Sequence, residues 1–192
     1  MKIIQNVIEE AKEGDKILIT FPDLYSFYSV FSWLNQVFGD FFWILWTDAA
    51  VERVNHLGKK YNFPRNGEAI VIASEKDCFF LRVIERLELE EIRRLNSLLP
   101  ENRLILSFGI NFLNFYGRDL SRVIDSLIEI ENGILITAIV GKAPEELKTF
   151  HDFQIDVMRS EDSFIAYHNY VAKLTFSMKG GVTILSDSLD LR

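Results

Sequence analysis

Apolar positions recur at helical spacing over residues 2–12, where Ile3, Ile4, Val7, Ile8 and Ala11 share a face and predict a short amphipathic helix. Lys16–Thr20 follows Gly14-Asp15 as a short apolar run and reads as a buried strand. Helical spacing returns over 24–38. Phe41–Trp46 is a continuous aromatic and aliphatic run between Gly39-Asp40 and Asp48, which predicts a second buried strand. A helix over Ala49–Tyr61 carries Val51, Val54 and Leu57 near one face, and Ala69–Ala73 reads as a strand. Leu87–Leu99 is expected to be a helix ended by Pro100, followed by a strand at Leu104–Phe108 and a helix at Leu120–Ile130. Ile134–Val140 reads as a strand and Ala143–Phe150 as a short helix with Pro144 early in it. Asp156–Met158, Ser163–Tyr167, Val171–Ser177 and Val182–Leu185 then read as successive strands joined by short turns.

Strand–helix alternation followed by a run of strands predicts an α/β fold. The expected architecture is three-layer α/β/α, with a mainly parallel sheet and a C-terminal antiparallel extension. Strands that are apolar throughout need cover on both faces, as parallel sheets have. The 192 residues are read as a single domain, 1–192, with 48% hydrophobic and 13% aromatic content and sixteen phenylalanines. A net charge of −7 argues against non-specific nucleic-acid or anionic-membrane binding, which needs a positive field. The one cysteine, Cys78, excludes an intramolecular disulfide and points to a reducing compartment. The first fifteen residues lack a signal-peptide layout, and no apolar stretch reaches the roughly 20 residues that span a bilayer. The expectation is a soluble, cytoplasmic protein.

Gly14-Asp15-Lys16-Ile17-Leu18-Ile19-Thr20 leads into Phe21-Pro22-Asp23-Leu24-Tyr25-Ser26-Phe27-Tyr28 and then a helix. This is the strand–loop–helix order of a phosphate-binding loop. With the later elements it resembles the RecA-like P-loop core, especially its KaiC-like branch found widely in archaea. In that resemblance Phe21 stands at the loop's first glycine, and Ser26, Phe27 and Tyr28 at its second glycine, lysine and Ser/Thr. The glycines let backbone N–H groups wrap a phosphate, the lysine reaches its oxygens, and the hydroxyl holds Mg²⁺. Phenylalanine at the lysine position removes the cation and adds bulk. Val123-Ile124-Asp125-Ser126 imitates the second acidic motif, but Asp125 precedes Ile134 by nine positions, too few for a crossover. Arg103-Leu104-Ile105-Leu106-Ser107 matches better and puts Ser107 where the Mg²⁺-organising Asp belongs. The resemblance therefore implies no ATP hydrolysis, no catalytic residue and no cofactor.

Two further positions carry the resemblance. Asp48 stands where KaiC-like proteins hold a water-activating Glu, and reads more simply as the N-cap of a helix starting at Ala49. Met178-Lys179-Gly180 resembles a turn that reaches a neighbouring subunit's nucleotide, with Lys179 in place of its Arg; the plainer reading is a solvated turn. His56, His151 and His168 share no metal-ligand spacing, and Cys78 reads as a small buried hydrophobe. Glu85-Arg86 and the charges after it read as a solvated helix face. The rings of Phe21, Tyr25, Phe27, Tyr28, Phe31, Trp33 and Phe38 leave two readings open. They fill the space of a lost nucleotide, or they form a surface for a partner, with Tyr25, Phe31, Trp33 and Lys179 as its residues. The expected function is a non-catalytic domain acting through a protein partner or as a homo-oligomer. The alternative is a nucleotide or small-ligand binding domain without hydrolysis.

Overall fold

The computed structural model describes residues 1–64, 66–116, 120–160, 170–178 and 181–189. The chain runs through α1 (Lys2–Glu10), β1 (Lys16–Phe21), α2 (Leu24–Phe38), β2 (Phe42–Trp46), α3 (Thr47–Tyr61), β3 (Glu68–Ile72) and β4 (Arg82–Leu87). A 3₁₀ turn (Leu89–Arg94) enters α4 (Leu95–Leu98), and β5 (Leu104–Phe108) leads to a 3₁₀ segment (Ile110–Tyr116) and α5 (Ser121–Ile128). β6 (Ile134–Val140), α6 (Glu145–Lys148), β7 (Phe153–Arg159), β8 (Tyr170–Met178) and β9 (Gly181–Leu189) complete the described elements.

The described strands make one sheet in the order β4-β3-β2-β5-β6-β1-β7-β8-β9. Neighbours from β4 to β7 are parallel, and β8 and β9 add an antiparallel hairpin. The fold is α/β with helices on both faces. The reason is connection handedness. Steps from β1 to β2 and β3 move one way along the sheet, whereas steps from β4 to β5, β6 and β7 move the other way. Right-handed crossovers then put α2 and α3 on one face and α4, α5 and α6 on the other.

Side-chain alternation divides the core accordingly. Ile17, Ile19, Phe21, Trp43, Leu45, Val71, Leu106 and Phe108 pack with α1, α2 and α3. Leu18, Phe42, Ile44, Trp46, Ile70, Ile105 and Leu135 pack with α4, α5 and α6. Every side chain of β2 is at most 1% exposed, so each contributes on the scale of about 1.5–3 kcal/mol of burial. No described helix is long and apolar enough to cross a membrane.

Four expectations change. β7 is the last parallel strand, pairing Ile17 with Phe153, and not the first of the antiparallel run. No strand is expected at β4, where Glu85-Arg86 and the charges after it read as a solvated helix face. The segment is a charged edge strand, a usual protection against edge-to-edge association. The helix expected at Leu87–Leu99 is a 3₁₀ turn plus one short helix, opened by a capping box between Glu88 and Glu91. Asp48 is not an N-cap. Thr47, at φ 68°, turns the chain from β2 directly into α3, so Asp48 lies inside the first turn. Asp125 lies in α5, as its apolar neighbours require. The strand expected at Ser163–Tyr167 lies outside the described residues.

Candidate functional site

α2 begins where a phosphate-binding loop would hold its anion. Helix N-termini expose unpaired N–H groups and the positive end of the dipole, so they favour negative charge. Here the chain supplies that charge itself. Asp23 is the N-cap, with extended backbone, and its Oδ1 accepts from the Ser26 N–H at 2.8 Å. Ser26 is fully buried, and its hydroxyl donates to the Asp23 carbonyl at 2.9 Å. The other carboxylate oxygen, Oδ2, accepts from Arg159 Nη2 at 2.9 Å and from the Tyr170 hydroxyl at 3.0 Å. Residues at the ends of β7 and β8 thus clamp the first turn of α2.

The titration of this cluster follows from its contacts. Burial pushes the Asp23 carboxyl up, but the Ser26 N–H, Arg159 and Tyr170 outweigh it and hold the pKa below the ordinary value. Burial, and then donation to the Asp23 carboxylate, push Tyr170 up to about 12. Hydrogen bonding to Asp23 raises Arg159 as well. The cluster is therefore a carboxylate, a guanidinium and a neutral phenol across the physiological range.

Beside it, packed rings occupy the segment between β1 and α2 and the first turns of α2. Phe21 and Phe27 are at most 1% exposed and meet edge to face at 5.6 Å between centroids. Phe27 stacks on Phe108 at 4.6 Å and lies 4.9 Å from Phe31. Such ring pairs are worth about 0.5–1.5 kcal/mol each beyond area burial. Tyr28 turns outward from this group and stacks on Tyr61 of α3 at 4.3 Å.

The other expected residues are not gathered here. Ser107 is fully buried on the opposite face of the sheet, where its hydroxyl accepts from the Trp46 indole at 2.8 Å. Asp48 accepts from the Ser74 hydroxyl at 2.5 Å, in the first turn of α3. Just before it, Thr47 combines positive φ with a buried hydroxyl that has no hydrogen-bond partner. A β-branched residue in that region is strained, and such strain concentrates at functional turns.

Of the expected partner surface, Phe31 is corrected: it is fully enclosed among Phe21, Phe27 and Phe41, because its helical position faces the sheet. Tyr25 is 40% exposed and Trp33 half-buried, and with Ser29 and Val37 they recur every four residues along the outer flank of α2. Lys179 and His168 lie outside the described residues. His56 is exposed on α3, whereas His151 is buried beside α6, so the two lie on opposite faces. The Leu147 carbonyl can only accept, so His151 carries its proton on Nδ1 there and accepts at Nε2 from the Thr137 hydroxyl at 2.9 Å. Cys78 is half-buried against the first core, and burial pushes its thiol pKa up.

Sequence reasoning missed the roles of Asp23, Arg159 and Tyr170. Pro22-Asp23 ahead of an apolar helix is a legible cap signal. The partners of Asp23 lie 136 and 147 residues away, and no local pattern announces them.

The chain is 50% identical over 190 residues to an uncharacterized protein of Archaeoglobus fulgidus, covering 98% of this chain and 97% of that one. The chain belongs to that protein's family. A solved chain from Pyrococcus horikoshii OT3 shares the fold, with a TM-score of 0.62 at 14% identity, over 79% of this chain and 86% of that chain. No protein-family model matches the sequence.

Proposed function

We propose that this protein is a non-catalytic RecA/KaiC-like domain that works through contact with another protein chain or with copies of itself. The observation that carries this reading is the closed N-terminus of α2. A phosphate there would compete with the chain's own Asp23 carboxylate, already held by the Ser26 N–H, Arg159 and Tyr170. Phe27, at the lysine position, is buried against Phe108 and offers a phosphate oxygen no donor. Ser107 lacks a carboxylate for Mg²⁺ and is engaged by Trp46 on the far face.

One feature supports contact as the remaining activity. The outer flank of α2 presents Tyr25, Trp33 and Val37 in one stripe beside the filled seat. Aromatic residues are favoured in interfaces. The test is sedimentation velocity over a concentration series, with phosphate release from ATP measured in parallel. Self-association weakened by Tyr25→Ser with Trp33→Ser, without phosphate release, supports the reading. Turnover of ATP contradicts it.

A further inference from the structure

The carboxyl ends of parallel strands are where open α/β sheets form ligand crevices, at points where neighbouring connections diverge. β2 and β5 make such a point: they are hydrogen-bonded neighbours, yet β2 continues into α3 on one face and β5 into α5 on the other. A crevice of about 450 Å³ opens there, between α3, the 3₁₀ segment after β5 and the turn after β6. That volume lies within the usual range of small-molecule sites, about 300–1,000 Å³.

Its chemistry is asymmetric. Val140, Ala143, Pro144 and Phe112 supply apolar wall. Arg53 projects from α3, half-buried, with its guanidinium carbon 4.7 Å from the Phe112 ring centroid. Among the described residues Arg53 makes no ion pair and no side-chain hydrogen bond. Burial lowers its pKa. Both acidic residues of α3 are engaged elsewhere, Asp48 by Ser74 and Glu52 by Lys76. Lys142 adds a second cation to the lining, and the carboxylate there, Glu145, is paired with Lys148 at 2.7 Å. The lining thus carries two cations, Arg53 and Lys142, to one carboxylate, Glu145, in a chain of net charge −7.

A half-buried guanidinium without a carboxylate has lost hydration that the Phe112 ring only partly replaces, and an anion would complete it. Stacking on an aromatic face leaves its N–H edge available for two parallel hydrogen bonds to a carboxylate or phosphate. We propose that this crevice binds a small organic anion, its carboxylate or phosphate on Arg53 and Lys142 and its apolar body against Phe112, Val140 and Pro144. The proposal is independent of the closed α2 terminus. The crevice uses other residues, and the ligand need not be a nucleotide.

The experiment titrates the full chain at constant ionic strength with benzoate, phenyl phosphate, inorganic phosphate and the uncharged benzamide. Binding is followed by thermal shift and by backbone amide NMR. The expected result is saturable binding of benzoate or phenyl phosphate, with shifts at Asn111, Phe112 and Gly141 to Glu145. Benzamide should leave these amides unmoved. Which arylanion binds more tightly, and whether inorganic phosphate binds alone, tells a carboxylate site from a phosphate site. Arg53→Gln should weaken binding at least tenfold. Should Arg53→Gln fail to fold, the exposed Lys142→Gln must still weaken binding severalfold. Absence of saturable binding by every anion, equal binding by Arg53→Gln or Lys142→Gln, or shifts confined to other surfaces would each overturn the assignment.

Discussion

The hydroxyl of Tyr170 donates to the carboxylate of Asp23 at 3.0 Å, tying the C-terminal hairpin to the first turn of α2. Tyr170 is 2% exposed, so this contact is largely shielded from water. Arg159 completes the same carboxylate but is half exposed.

These exposures rank the substitutions. Asp23→Ala removes the helix cap and the carboxylate that Arg159 and Tyr170 share, and should cost about 2–3 kcal/mol. Tyr170→Phe should cost about 1–2 kcal/mol. Arg159→Ala should cost under about 1 kcal/mol, because solvent-exposed pairs contribute little. Urea unfolding midpoints check the order. An Arg159→Ala cost equal to that of Asp23→Ala would show that the guanidinium, and not the cap, holds the turn.

Three groups contribute to the pH limits of stability. Burial is the main cause that lowers His151 from 6.5 to about 4, so the unfolded chain takes up its proton first. Its contribution is complete above pH 6.5 and is lost as pH falls toward 4, an effect on the order of 3 kcal/mol. Asp23, held below its ordinary pKa, contributes above that value and adds a further loss as pH falls below it. Tyr170 is raised from 10.0 to about 12, so its contribution is complete below pH 10 and is lost as pH rises through the folded value. Thermal unfolding across pH should show both limbs. His151→Gln should flatten the segment between pH 6.5 and 4 and leave the alkaline limb in place.

Ser107 tests whether the second acidic motif can be restored. Ser107→Ala removes the acceptor of the buried Trp46 indole and should cost about 1–2 kcal/mol. Ser107→Asp supplies the residue that the family resemblance expects, but at a fully buried position with one indole donor. It should cost more than about 3 kcal/mol, since an unpaired buried carboxylate is poorly solvated. Addition of Mg²⁺ should not recover the loss in melting temperature. Recovery by Mg²⁺ would show that the metal site is latent after all.

Gly109 ends β5 at φ +90°, and a Cβ there would lie 2.5 Å from the Ala50 Cβ and 3.2 Å from the Phe112 ring. Gly109→Ala should therefore cost more than about 2 kcal/mol through strain and crowding. It should also displace Phe112 and weaken anion binding in the crevice beside Arg53. Calorimetry on the folded variant separates the two effects.

The apolar pattern made most of the sheet legible. β2 and β6 are buried on both faces, and their unbroken apolar runs announce it. α2 was legible to its ends, with Pro22-Asp23 before it and Gly39 after it. β4 was hidden because an edge strand needs polar residues, and its charges imitate a helix surface. The start of α3 was hidden because Thr47 adopts positive φ, which its residue type argues against. The rings before and in α2 could be read from Phe21 and Phe27, and the burial of Phe27 follows from α2's periodicity. The Asp23–Arg159–Tyr170 clamp and the Arg53 crevice could not be read, because only the fold brings their members together.

The most direct test of the closed α2 terminus is calorimetric titration of Arg53→Gln with ATP, ADP and GTP in the presence of Mg²⁺. That variant weakens the separate anion crevice, which lowers the crevice's contribution to any signal from the α2 terminus. The account predicts no saturable heat and no rise in melting temperature with any nucleotide. Saturable, Mg²⁺-dependent binding would contradict it, with about 2.7 kcal/mol of stabilisation expected at one hundred times the dissociation constant.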